Sequence, residues 1–139
     1  MSAVSHVLDT SALLAHYFDE PGADEVERLW AAGTAKPGVS AVTVTELKSR
    51  LDEETNGSGE ARDAADAYLN ELTVCLPVDR GVAELAWQIR NAIDGRIPLV
   101  DALIAATARA AGAVLVHRDP HMARIPGTLV EQLVLPQKQ

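Results

Sequence analysis

Short apolar runs alternate with longer amphipathic segments along this chain, and that alternation constrains the fold more than any single motif. Val4 to Leu8 is a strand-like run, and Asp9-Thr10-Ser11 then opens an apolar helical segment, Ala12 to Phe18. Val39 to Val42 is strand-like again, and Thr43 is expected to start a helix with Glu46 in its first turn. A later helix starts near Pro98, carries Asp101 early, and ends at Gly112. Ala113 to Val116 is a fully apolar strand running into His117, Arg118 and Asp119. Proline at a helix start and glycine just past its end are the expected punctuation. Strands alternating with helices of this length predict an α/β fold: three layers, α/β/α, around a mostly parallel sheet.

That fold class places chemistry. In a parallel sheet, strands end and the next helices begin at one edge, and helices leading back into strands start there too. Asp9 and Asp119 end strands, while Glu46 and Asp101 sit near helix starts. All four carboxylates should therefore face one crevice at the carboxyl ends of the strands, where open α/β folds bind ligands. Each acid alone has an ordinary explanation. Asp9 or Ser11 suits a helix N-cap, Thr43-Val44-Thr45-Glu46 fits a capping box, Asp101 meets a helix dipole, and Asp119-Pro120 opens a turn. Capping, however, does not require four acids to share one sheet edge. The other acids, from Asp24, Glu25 and Glu27 to Asp52, Glu53, Glu54, Glu60, Asp63 and Asp66, read as solvated helix faces.

Carboxylate oxygens suit hard cations such as Mg²⁺ or Mn²⁺, whereas zinc sites favour His and Cys. Without a cation, four clustered carboxylates repel and raise one another's pKa. The pattern thus points to a divalent-metal site and to phosphodiester chemistry.

At these residues the chain resembles a PIN-domain ribonuclease, and more narrowly a VapC-type toxin of a bacterial toxin–antitoxin pair. The segments that carry the resemblance are LDTSALLA, VTEL, PLVDALIAATARAAGAVLVHRD and the closing IPG…LVLP, in order along nearly the whole chain. The resemblance implies that Asp9, Glu46, Asp101 and Asp119 form the acidic metal site, and that Thr10 or Ser11 tunes the first carboxylate by hydrogen bonding. It implies RNA hydrolysis that leaves a 5′-phosphate and a 3′-hydroxyl, neutralisation by a cognate VapB-type antitoxin, a homodimer, and a toxin–antitoxin hetero-oligomer. Many family members carry a second acid two residues after the position of Asp119. Here His121 stands there, followed by Met122, which makes that corner less acidic and leaves the number of metals open.

Composition frames the rest. The 139 residues, 47% hydrophobic, are expected to form one domain, residues 1–139, with a core of its own. The lone Cys75, within Val74-Cys75-Leu76, reads as a buried thiol and fits a reducing cytoplasm. No signal peptide or membrane-spanning run is expected. A net charge of −8 argues against broad nucleic-acid affinity. Basic residues beside the acidic motifs, Lys48, Arg50, Arg96, Arg118 and Arg124, are candidates for RNA phosphate contacts. His117 and His121 read as turn residues, since Pro120 between them disfavours a helix presenting both. Trp87 with Val82, Leu85, Ala86 and Ile89, and Trp30 with Val26 and Leu29, read as core or interface packing. Thr55 to Gly59 reads as a mobile loop near the site entrance. Ala12, Leu13, Leu14 and Tyr17, with the helix near Val26 to Trp30, are expected to line an apolar groove for the antitoxin.

Other classes fit less well. A receiver-type phosphoacceptor domain needs an acidic pair after the first strand and a late lysine, and Asp9-Thr10-Ser11 and His117-Arg118-Asp119 supply neither. A catalytically idle PIN-like binding module sits poorly with four retained acids. A PIN-fold RNA-processing nuclease without a toxin role is the nearer alternative, although its usual extra domains or basic extensions are not found in this sequence.

Overall fold

A computed structural model describes residues 4–32 and 35–138. Its strands are β1 (His6–Leu8), β2 (Gly38–Ser40), β3 (Val74–Leu76), β4 (Val114–His117) and β5 (Gln132–Val134). They pair in the order β3-β2-β1-β4-β5, and every pairing is parallel. The helices are α1 (Thr10–Tyr17), α2 (Ala23–Ala31), α3 (Ala41–Thr55), α4 (Gly59–Asn70), α5 (Arg80–Ala92), α6 (Leu99–Ala111) and α7 (Pro120–Ala123).

Successive strand residues point to opposite sheet faces, so each central strand feeds two cores. Val7 and Leu115 pack with α5, α6, Met122 and Ile125 on one side. Leu8, Val39 and Val116 pack with Leu13, Leu47, Leu51 and Ala65 on the other. Helices on both faces are why these short strands read as continuous apolar runs. Helix α6 is rich in small buried residues, Ala102, Ala105, Ala106 and Ala108 among them, so it lies close against the sheet. Gly112 ends it in the left-handed conformation, φ 64°, and turns the chain directly into β4.

The chain leaves β1 for β2 and β3 on one side, then crosses back to β4 and β5 on the other. The strand order therefore reverses between β1 and β4, and open α/β folds bind ligands at the carboxyl ends of such a strand pair. Register places Leu8 beside Val116, and the Asp9 amide donates to the Val116 carbonyl at 3.0 Å. The two strand-terminal acids, Asp9 and Asp119, flank that switch point.

The structure departs from several expectations raised by the sequence. Helix α3 starts at Ala41, capped by Ser40, whose hydroxyl accepts from the Val42 amide. Glu46 therefore lies in the second turn, and the Thr43–Glu46 capping box does not form. Cys75 is exposed rather than buried, on the edge strand β3. Trp87 is 62% exposed, since the buried stripe of α5 runs through Val82, Ala86 and Ile89 and the tryptophan falls off it. Trp30 does pack, stacked on Tyr68 and edge-on to His16. Thr55 to Gly59 forms a tight turn into α4, with Asn56 left-handed and Ser58 capping. It lies about 14 Å along α3 from Glu46, at the end of that helix away from the site. Ala12, Leu13, Leu14 and Val26 are buried in the core, so they line no open groove.

Candidate active site

Asp9 sits at the end of β1 as the N-cap of α1. Its Oδ1 accepts from the Ala12 amide at 3.0 Å and from the Ser11 hydroxyl at 2.6 Å. The same hydroxyl accepts from the Arg118 amide at 3.1 Å, which ties the start of α1 to the end of β4. Thr10 donates its hydroxyl to Glu46, fixing a residue of α3 against the first turn of α1. Ser11 is thus the hydroxyl that tunes Asp9, whereas Thr10 positions Glu46. Asp101 lies in the first turn of α6, within hydrogen-bonding reach of Asp119. Asp119 caps α7, its Oδ1 accepting from the His121 amide at 2.8 Å.

The structure brings Asp9 and Asp101 within electrostatic reach of each other, of Glu46 and of Asp119. Asp9, only 4% exposed, has its pKa pushed up from 3.8 to about 7. Burial is the main cause, and the charges of Asp119 and Glu46 add to it. The hydrogen bonds from Ser11 and Ala12 oppose the shift without cancelling it. Asp101 is also raised to about 7, first by burial and then by the neighbouring Asp119, Glu46 and Asp9. Two acids poised near neutrality beside two further carboxylates form a site that a divalent cation would stabilise strongly.

Two histidines beside the site depart from the turn positions expected of them. His117 is fully buried at the end of β4, not a turn residue. Its Nδ1 accepts the Asp119 amide at 2.9 Å, so Nε2 carries the proton and donates to Gln132 Oε1 at 2.8 Å. Burial lowers its pKa and keeps the ring neutral. His117 therefore orients the backbone that carries Asp119. His121 is exposed, with Nδ1 3.2 Å from Asp119 Oδ1. Donor atoms of Asp101, Asp119 and His121 lie within 4.8 Å of one another. The position of the histidine two residues beyond Asp119 was visible in the sequence; its approach to Asp101, on another helix, was not.

The basic candidates divide. Arg118 does not face solvent: it is 12% exposed and bound to Glu20, itself 16% exposed, which Lys138 also contacts at 3.1 Å. The pairing holds the Glu20 carboxyl below its usual range, against the opposing effect of burial. Lys48 lies 3.5 Å from Asp66 and Arg50 3.2 Å from Glu54, both exposed pairs of little individual strength. Arg96 and Arg124 are exposed, and no ion pair involves either among the described residues. The hydroxyl of Thr43, one helical turn before Glu46 on the same face of α3, is buried without a hydrogen-bond partner.

The comparisons with known proteins agree with this architecture. The family model described as PIN domain matches residues 6–128, most of the chain. The chain belongs to the PIN-domain family. Among curated proteins no sequence matches it. Solved structures do. A chain of VapBC2 from Rickettsia felis, solved bound to a DNA fragment from their promoter, superposes with a TM-score of 0.76 at 18% identity. The match covers 96% of this chain and all of that one. The sarcin-ricin loop cleaving toxin VapC20 of Mycobacterium tuberculosis gives 0.70 at 24% identity, covering 95% and 100%. VapBC-5 of the same organism, of the VapBC family of toxin–antitoxin systems, gives 0.66 at 25% identity, covering 94% and 98%. This PIN domain has the five-stranded, all-parallel sheet already described, and no described helix is long and apolar enough to cross a membrane.

Proposed function

We propose that this PIN domain, a single domain over residues 1–139, is a divalent-metal-dependent endoribonuclease, the cytoplasmic toxin of a toxin–antitoxin pair, neutralised by a VapB-type antitoxin. The observation that carries the reading is the convergence of Asp9, Glu46, Asp101 and Asp119 at the β1/β4 switch point, with Asp9 and Asp101 held near neutral pKa. The donor set, four carboxylates brought to one sheet edge, fits Mg²⁺ or Mn²⁺.

Asp9 and Asp101 would be the principal ligands of the cation. Glu46, steadied by Thr10, would be a ligand or orient the attacking water, and Asp119 would be a further ligand. A bound cation supplies Lewis acidity toward the phosphate and toward water. The water oxygen attacks phosphorus, the bond to the 3′ oxygen breaks, and that oxygen takes up a proton. The products are a 5′-phosphate and a 3′-hydroxyl. Exposed Lys48, Arg50 and Arg96 draw in the RNA backbone by charge alone, which makes binding weak and salt-sensitive. The antitoxin is expected to assemble with a toxin homodimer into a hetero-oligomer, as the VapBC relatives suggest.

The test is cleavage of total RNA by purified, partner-free protein with Mg²⁺ or Mn²⁺, beside EDTA and Asp101→Asn controls. Discrete fragments that vanish in both controls support the reading and identify the substrate. Absence of cleavage by folded protein moves the assignment to a non-catalytic binding module.

A further inference from the structure

A nitrogen donor lies beside two of the site carboxylates, Asp101 and Asp119. Asp119 caps the short helix α7, Pro120 fixes its first turn, and His121 follows. The backbone amide of His121 donates to Asp119 Oδ1 at 2.8 Å, which holds the two residues in a fixed relation. The ring then folds back over the same carboxylate, with Nδ1 3.2 Å from Oδ1. Two donors bound side by side to one cation at about 2.1 Å each stand roughly 3 Å apart, so the spacing suits a shared ion. Asp101 reaches the same point from α6.

Resting on the metal-dependent reading above, we propose that His121 is an imidazole ligand of the bound cation, together with Asp101 and Asp119, and that this nitrogen makes the site select first-row transition ions such as Mn²⁺ over Mg²⁺. Mg²⁺ prefers oxygen donors and sheds its waters reluctantly, whereas imidazole is a favourable donor to transition ions. The ring is exposed, so it meets a cation without rearrangement of the core. An acid at this position would give an all-oxygen site and little reason to discriminate.

The test uses the full chain loaded with Mn²⁺. Electron spin-echo modulation reads imidazole nitrogen bound to the ion, and loss of the free Mn²⁺ signal gives its affinity, with Mg²⁺ as competitor. Wild-type protein is expected to show the nitrogen modulation. His121→Asp, a surface change with the fold checked by circular dichroism, is expected to keep Mn²⁺ but lose the modulation. The ratio of Mg²⁺ to Mn²⁺ dissociation constants should fall at least about tenfold in that variant, since even an outer-shell partner of a metal ligand is worth that much. Bound Mn²⁺ without nitrogen modulation, modulation that persists in His121→Asp, or an unchanged ratio overturns the inference and leaves the nuclease reading standing. Folded wild-type protein that binds no Mn²⁺ overturns both.

Discussion

Replacing Asp9 with asparagine should make the metal-free protein more stable, and the gain should grow with pH. Asp9 titrates near 3.8 when unfolded and near 7 when folded. Below the lower value both states are protonated and the group contributes nothing. Between the two values the unfolded chain has lost the proton while the folded chain still holds it, so stability falls as pH rises. The slope is about 1.4 kcal/mol per pH unit, and it ends once the folded group also ionises. From about pH 5 to about pH 8 only the interval below 7 counts, which gives a loss of about 3 kcal/mol from this residue. The substituted asparagine cannot ionise, although its amide oxygen still accepts from Ala12 and Ser11. Any constant cost of burying its NH₂ cancels in the pH difference. Asp101 and His117 titrate in both proteins and largely cancel as well. Urea unfolding in EDTA, followed by far-UV circular dichroism at the two pH values, measures the effect. The stability of Asp9→Asn relative to wild type should be about 3 kcal/mol higher at the upper pH than at the lower. Parallel stability curves for the two proteins would refute the claim that burial holds this carboxyl protonated near neutrality.

Metal binding should release protons at about pH 6, because a cation requires Asp9 and Asp101 ionised, and should release almost none at about pH 8.5; Mg²⁺ or Mn²⁺ calorimetry in buffers of different ionisation enthalpy measures the number. Thr10→Val should keep the fold at a cost of about 1 kcal/mol yet reduce RNA cleavage at least about tenfold, since it frees Glu46 without altering the charge of the site. Arg118→Met should lower stability by about 3 kcal/mol, most of it absent in a Glu20→Gln background, while the salt dependence of RNA binding stays as in wild type. Gly38→Ala should cost about 1–3 kcal/mol in thermal unfolding, because its Cβ would stand 2.9 Å from Leu76 Cδ1 and 3.0 Å from Val4 Cγ1.

Local information in the sequence was enough for the alternation of strands and helices, for the span of α6 between Pro98 and Gly112, and for the presence of Asp9 and Asp119 at strand ends. These depend on hydrophobic period, capping chemistry and chain punctuation, which act over a few residues. The same local rules misplaced the start of α3, because Ser40 can cap a helix as readily as Thr43. They also left Trp87 as core or interface, because helical spacing shows that a stripe exists without fixing which neighbour of the stripe stays outside. That four acids share one sheet edge followed from the alternation, but the order β3-β2-β1-β4-β5, and with it the switch point where they meet, was beyond these rules. Only the packed structure shows that Arg118 turns inward to Glu20 across nearly a hundred residues, that Thr10 grips Glu46 rather than Asp9, and that His117 and His121 both engage Asp119. Periodicity and capping are set by chemistry between near neighbours in the chain. Partner choice and burial are set by which surfaces meet when distant segments pack, and burial is what moves the Asp9 and Asp101 carboxyls towards neutrality.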